Sequence, residues 1–386
     1  MKRTRMMPLV GVLALLVGLV VPTVATAGQP STAWREFGYG PNQSRSNPTE
    51  TLLGPTTVPH LHEIFAASLN AFDIRSSPAV VDGVVYVGSE DGNLYAFDAT
   101  TGIERWRAPA GATLFETGPA VAGGLVYTHG GDGKLSAFDK TTGALRWRVS
   151  AGDFFPFSSP AVVGNTVYIT TDGGTVLAFD AATGQRRWAK RVSSIGLTSP
   201  AVANGIVYVV DFNGMVFALD AATGALRWSV KRGCCLASSP SVVDGRVYVS
   251  GERLDALDAT TGALLFSVPN GGGADGSPAV GGGIAVVGGF DGNVYAVDAR
   301  TGATRWVSLV APGELLHAGP AIANGVVYIG GDDDAIHVLD AATGASLFTF
   351  PTGGDVRSAA VVSNGTFYMP SDDGFLYAFR ADGSGS

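Results

Sequence analysis

A segment of about forty residues returns along most of this 386-residue chain, and that repetition limits the possible folds more than any other feature. The first copy reads SSPAVVDGVVYVGSEDGNLYAFDATTGIERW from Ser76, and the second reads TGPAVAGGLVYTHGGDGKLSAFDKTTGALRW from Thr117. Five more begin near Ser158, Thr198, Ser238, Gly276 and Ala318, and an eighth, RSAAVVSNGTFYMPSDDGFLYAFRADG, stops before its last segment. The markers are Pro78, Pro119, Pro160, Pro200, Pro240, Pro278 and Pro320, spaced 38 to 42 residues apart, with Ala359 read in the eighth place. Each copy holds four short β-type runs. Proline is tolerated where the first run begins, because no ladder N–H is needed there. The second run alternates, as in Val85-Tyr86-Val87, and Asp91-Gly92, Asn213-Gly214 and Asp291-Gly292 are hairpin signals before the third. A four-stranded unit of this length, repeated many times, predicts propeller blades.

Eight copies supply only seven fourth strands. The expected donor of the missing one is the run from Leu61 to Leu69, which would complete the last blade and close the ring without a free edge. The predicted fold is therefore all-β: an eight-bladed propeller of four-stranded blades, closed by an N-terminal strand. Its expected divisions are a signal peptide at 1–27, a strap at 28–60, the propeller at 61–380 and a tail at 381–386.

The leader reading rests on Lys2, Arg3 and Arg5, an apolar run from Pro8 to Val21, and the small-residue site Ala25-Thr26-Ala27. No cysteine follows the apolar run, so no lipid anchor is expected, and no later run is long enough to span a bilayer. The expected product is secreted or periplasmic, cleaved after Ala27, and monomeric. Cleavage would move the formal charge from −8 to about −11. Such acidity argues against nucleic acid and anionic headgroups as partners.

The stretch Ala96-Phe97-Asp98-Ala99-Thr100-Thr101-Gly102-Ile103-Glu104-Arg105-Trp106 has the pattern A-x-D-x-x-T-G-x-x-x-W. It resembles the tryptophan-docking repeat of the pyrroloquinoline-quinone (PQQ) propeller superfamily. It recurs with Trp147, Trp188, Trp228 and Trp306, while Phe266 and Phe348 stand in two copies. These indoles are expected to pack between blades, and none is a catalytic candidate. The resemblance implies several possible roles: quinoprotein alcohol dehydrogenase, polyvinyl-alcohol-dehydrogenase-like enzyme, non-enzymatic outer-membrane assembly factor, or sensor domain. Fold alone does not choose among them.

In a propeller, the loops leading into the innermost strands surround one mouth of the central channel. Those loops offer Arg75, Glu116, Phe155, Cys234, Cys235, Asp275, His317 and Arg357 as candidate ligand contacts. Arg75 and Arg357 belong to neighbouring blades and are expected either to face an anion together or to join a solvated, salt-bridged rim. Cys234 and Cys235 are the only cysteines. The residues alone allow two small thiols or a loop staple. The resemblance implies the ring disulfide of quinoprotein dehydrogenases, strained because adjacent Cα atoms lie only ~3.8 Å apart.

The rest of that family's site, as the resemblance implies it, is a calcium ion held by a Glu and an Asn, an Asp base, and a Trp under the quinone. Glu90 and Glu252 are weak calcium candidates, Asp332-Asp333-Asp334 reads as a hairpin tip, and Trp34 lies in the strap. No C-x-x-C-H, H-E-x-x-H, G-x-S-x-G or P-loop motif is present. The expectation is a non-enzymatic binding scaffold without metal or cofactor, taking an unknown protein or small molecule. The alternative is a PQQ- and calcium-dependent alcohol or polyvinyl-alcohol-type dehydrogenase.

The cysteine reading is tested by thiol counting. Exported protein, denatured without reductant, should show no free thiol and gain two on reduction. Its stability should barely change, since a ring between neighbours removes little chain entropy. Two titratable thiols before reduction would refute the bond.

Overall fold

The computed structural model describes residues 33–111, 117–152, 158–233 and 238–381. Eight sheets are built from consecutive antiparallel strands, and each sheet is one blade. Blade one comprises Ala79–Val81, Val84–Gly88, Asn93–Asp98 and Glu104–Pro109 from the channel outwards. The next six repeat this order, beginning at Ala120, Ala161, Ala201, Ser241, Ala279 and Ala321. Blade eight takes Val361–Ser363, Thr366–Pro370 and Phe375–Ala381 from the C-terminal end, and its fourth strand is Leu61–Ser68. That strand pairs antiparallel with its neighbour, from Leu61 opposite Ala381 to Ser68 opposite Phe375, and closes the ring as the repeat count requires. The only helical turn among the described residues is Val58–His60. Strand pairing corrects one assignment: Ala79 opposes Tyr86 as Val361 opposes Tyr368, so Ala360, not Ala359, occupies the eighth proline position.

Blades are joined on the outside by the repeated aspartate turn. Asp98 Oδ1 accepts the N–H groups of Thr100 and Thr101 at 3.0 and 2.9 Å, while Arg105 donates to Oδ2 at 2.6 Å. This pairing holds the Asp98 carboxyl below the usual range, with the Arg105 hydrogen bond as the main cause. The neighbouring Trp106 donates from Nε1 to the Lys140 carbonyl of blade two at 3.2 Å, and Tyr86 donates its hydroxyl to the same oxygen at 3.0 Å. Trp147, Trp188, Trp228 and Trp306 repeat the contact on the carbonyls of Ala181, Ala221, Ala259 and Ala341.

The turn glycine of the next blade lies flat against the indole. A Cβ on Gly143, already at φ +70°, would stand 2.6 Å from the Trp106 ring, so only glycine fits. Across the closure, Gly102 meets Phe65 of the N-terminal strand in the same way, at 2.5 Å. Phe65 thus takes the docking position in blade eight.

The strap does not merely precede the blades; it runs around the channel. The innermost strands are edge strands, and the middle residue of each points an N–H or a carbonyl into the channel. Val80, Val121, Val202, Val242, Val280 and Ile322 donate to the carbonyls of Trp34, Arg35, Pro41, Asn42, Ser44 and Arg45 at 2.5 to 2.9 Å. Val162 donates to the Glu36 carboxylate at 3.2 Å, and the Val362 carbonyl accepts from Asn47 Nδ2 at 2.8 Å. Ser46–Asn47 adds a short parallel strand beside Ile322 and Ala323. All eight blades are therefore bonded to one segment.

Substituting Phe65 by Ala tests the closure separately from the strap. The lost contact at this half-buried position is worth about 1–2 kcal/mol, so the melting temperature should fall by several degrees. An unchanged transition would show that blade eight does not depend on this docking contact.

Candidate functional site

The strap also lines a cup among the innermost strands. The cavity has a volume of about 580 Å³, and Phe37 and Arg45 of the strap form part of its lining. Ser77, Ser199, Ser239 and Ser277, each directly before a marker proline, line it as well. These serines belong to a hydrogen-bonded ring. The N–H groups of Gly118, Ser159, Ser199 and Ser239 donate to the Oγ of Ser159, Ser199, Ser239 and Ser277 on the following blade, at 2.8 to 3.1 Å. The Ala359 N–H likewise donates to Ser77 Oγ at 3.0 Å. A glycine replaces the serine at 118 and at 319. At Gly319 the missing side chain makes room for Arg45, because a Cβ there would lie 2.8 Å from Nη1.

Four of the residues singled out in the loops, Arg75, Asp275, His317 and Arg357, come together on the wall of this cup. Glu116, Phe155, Cys234 and Cys235 lie outside the described residues. The two wall arginines are engaged locally. Arg75 Nε bonds Asp73 at 2.8 Å. Arg357 bonds Asp332 at 3.0 Å, reaches Asp372 at 3.5 Å, and pairs with Asp355. His317 Nδ1 sits 2.7 Å from Asp332 Oδ2, with the Phe290 ring 5.5 Å away. Both arginines take part in local salt bridges, and both line the same cup.

The electrostatics follow from these contacts. The Asp332 hydrogen bond raises the His317 imidazole. Burial works against ionised Asp332, but His317 and Arg357 together hold it below its ordinary value. Burial lifts Asp372 to about 7, with Asp73 and Asp355 adding repulsion. Asp332 occupies the hairpin tip expected of Asp332-Asp333-Asp334, and its inward contacts are what the sequence did not show. It sits in the turn after Val326–Gly331, with its side chain nearly buried behind His317 and Arg357.

Arg45 was also not foreseen. It is 1% exposed, its guanidinium carbon lies 4.0 Å over the Phe37 ring, and Nε and Nη1 have no hydrogen-bond partner. Burial lowers it to about 9, so it keeps its charge at neutral pH. The only clue in the sequence was a polar stretch, Gln43-Ser44-Arg45-Ser46-Asn47, lying outside the repeat.

With the geometry in place, comparison with known proteins is informative. A PQQ-repeat family profile, described as outer membrane protein assembly factor BamB, matches residues 31–196, 154–270, 191–314 and 290–385. The chain belongs to this PQQ-repeat propeller family. Among solved structures, BamB from Moraxella catarrhalis is 22% identical, with a TM-score of 0.70, covering 83% of this chain and 99% of its own. The quinohemoprotein alcohol dehydrogenase ADHIIG from Pseudomonas putida HK5 is 16% identical, with a TM-score of 0.77, covering 92% of this chain and 81% of its own. The quinohemoprotein alcohol dehydrogenase from Comamonas testosteroni is 17% identical, with a TM-score of 0.75 and the same coverage, 92% and 81%. At such identities these likenesses establish the fold alone. Against curated protein sequences the chain finds no match.

The described lining does not supply what a quinone with calcium calls for. The aromatic residues in the lining are Phe37 and Phe212, and the five docking tryptophans bond the outer turns of neighbouring blades. Trp34 is fully buried against Val80. Among the described residues no three His, Cys, Asp or Glu side chains converge as metal ligands.

One strap acid reports on the strap's contacts. Burial pushes Glu36 up to about 8, opposed by its hydrogen bond from Val162. Between pH 4.5 and 8 the folded chain keeps a proton that the unfolded chain has released, so stability should fall as pH rises through that window and level off above it. Glu36→Gln should flatten this dependence and raise the melting temperature most at pH 8. A variant curve parallel to the wild type would show that Glu36 is not the titrating group.

Proposed function

We propose that this PQQ-repeat propeller is an exported, non-enzymatic binding protein whose ligand enters the cup at the channel mouth. The observation that carries the reading is the course of the strap. The strap runs past all eight innermost strands and lines a 580 Å³ cavity, a size within the range of small-molecule sites, with a buried cation and an aromatic ring. Around this floor the titratable groups are tied to one another in the Arg75–Asp73 and Arg357–Asp332 pairs, an arrangement that favours a fixed binding surface over an acid–base pair. Export rests on the leader at 1–27, and no described helix is long and apolar enough to cross a membrane. The Cys234–Cys235 bond belongs to this reading as a rim staple.

The second reading, a PQQ- and calcium-dependent alcohol or polyvinyl-alcohol-type dehydrogenase, is favoured by the quinohemoprotein neighbours, which cover 92% of the chain. The two readings separate in one assay. Purified mature protein, reconstituted with PQQ and calcium, should fail to reduce an artificial electron acceptor with primary alcohols. A general base alone contributes about 10²–10⁴-fold to a rate, and the one carboxylate in the described lining, Asp275, stands 3.9 Å from His317 Nε2. Stoichiometric PQQ binding with turnover, lost in the Cys234→Ala/Cys235→Ala variant, would establish the dehydrogenase instead.

A further inference from the structure

Three features of the strap converge on one point. Arg45 is 1% exposed, yet it lines the cup and leaves Nε and Nη1 without hydrogen-bond partners. Its backbone is left-handed at φ 51°, as is that of Gln43 at φ 57°, a conformation that non-glycine residues hold only when their surroundings impose it. The Ile322 N–H to the Arg45 carbonyl, at 2.9 Å, supplies part of that imposition, and Gly319 vacates the space the guanidinium fills. The Phe37 ring faces the guanidinium at 4.0 Å, but a buried charge without a hydrogen-bonded counter-ion stays costly. Its place in the lining lets a hydrogen-bonding partner reach it from the cup.

We propose that Arg45 makes the floor of the cup a receptor for the single carboxylate of a small organic anion. This rests on the reading of the mouth as a binding site and names its ligand class. A planar guanidinium presents paired N–H donors that match a carboxylate. Ser77, Ser199, Ser239 and Ser277 accept backbone N–H bonds around the floor or line it, and each hydroxyl keeps a proton to donate. Phe37 and Phe212 offer apolar surface for the ligand's body.

The rim limits the charge. Arg75 is matched by Asp73 and Arg357 by Asp332, Asp355 and Asp372, and Asp275 is itself in the lining, so a second or third negative charge on a ligand would meet cations already neutralised and one carboxylate. One carboxylate at the floor is accommodated; a phosphate dianion or a tricarboxylate is disfavoured.

The test uses purified mature protein with benzoate as probe, read by calorimetric titration and by melting temperature. Benzoate should bind with one-to-one stoichiometry and raise the melting temperature at millimolar concentration by mass action. Benzyl alcohol, the same body without the charge, should do neither. Arg45→Met should weaken benzoate binding about tenfold or more, a loss of about 1.4 kcal/mol, while melting no lower than wild type without ligand, because the unpaired charge is gone. Gly319→Ala, which crowds the guanidinium and leaves its charge in place, should weaken binding in the same direction and serves if the methionine variant does not fold.

Benzoate that leaves wild-type stability unchanged, or that binds the Arg45→Met variant equally well, would overturn the proposal. So would benzyl alcohol matching benzoate, or inorganic phosphate or PQQ binding more tightly. A failure here without dye reduction in the dehydrogenase assay removes only the carboxylate assignment, whereas turnover in that assay removes the non-enzymatic reading itself.

Discussion

The hydrogen bonds between the strap and the eight innermost strands are the constraint on which the rest of the structure hangs. A propeller hides most strand edges between blades, but its innermost strands still face an axial channel. Unpaired N–H groups there are either solvated or matched by something threaded through the hole. Here the match is residues 34–47, which bond to the middle residue of every innermost strand. The repeat spacing gives these groups regular positions around the axis. The strap, having no repeat of its own, meets them with an irregular backbone that turns left-handed at Tyr39, Gln43 and Arg45. It also spends one carboxylate side chain, that of Glu36, where no carbonyl serves Val162.

The outer contacts are of a different kind. Each Trp or Phe is bonded or packed to the following blade, and in five blades the aspartate turn is held by an arginine seven residues on, as in Asp98–Arg105 and Asp298–Arg305, while Leu265 and Leu347 take that place after Asp258 and Asp340. These ion pairs are at the surface, where solvent screens them, and their main service is to hold the turn in the shape that lets glycine lie on the indole. The blades are coupled twice, by outer aromatic–glycine contacts and, at five of the eight inner junctions, by serine Oγ bonds. Phe65 extends the first across the seam, and Ser77 extends the second through the Ala359 N–H.

How much of this was legible in the sequence follows from what repeats. The blades, the docking aromatics and the closing strand could be read because a periodic pattern makes any missing part conspicuous; Leu61–Ser68 was found by counting strands. The same periodicity placed Arg75, Asp275, His317 and Arg357 at one mouth, since they precede equivalent strands. It slipped by one residue at Ala360, where Ser358-Ala359-Ala360 offers no proline to mark the register. It gave no account of Arg45, Phe37 or Glu36, because a segment present once carries no internal standard, and burial inside a channel leaves no hydrophobic pattern in so polar a stretch. The tip at Asp332-Asp333-Asp334 was legible as a hairpin turn, but only the fold shows that its first aspartate turns inward to His317 and Arg357.

A channel threaded by the strap also changes what polar groups in the cup can do. In an open channel Arg45 would be hydrated, and its charge would count for little. Sealed between Phe37, the serine ring and the Ile322 strand, it sits where water is scarce and electrostatic interactions are strong. Its ionisation falls only to about 9, so the charge survives across the physiological range. The wall residues are buffered by their own neighbours, with Asp332 between two cations and Arg357 among three carboxylates. The result is a division of labour set by geometry: a self-neutralised rim that restricts which charges enter, and a single uncompensated cation below it that rewards one of them.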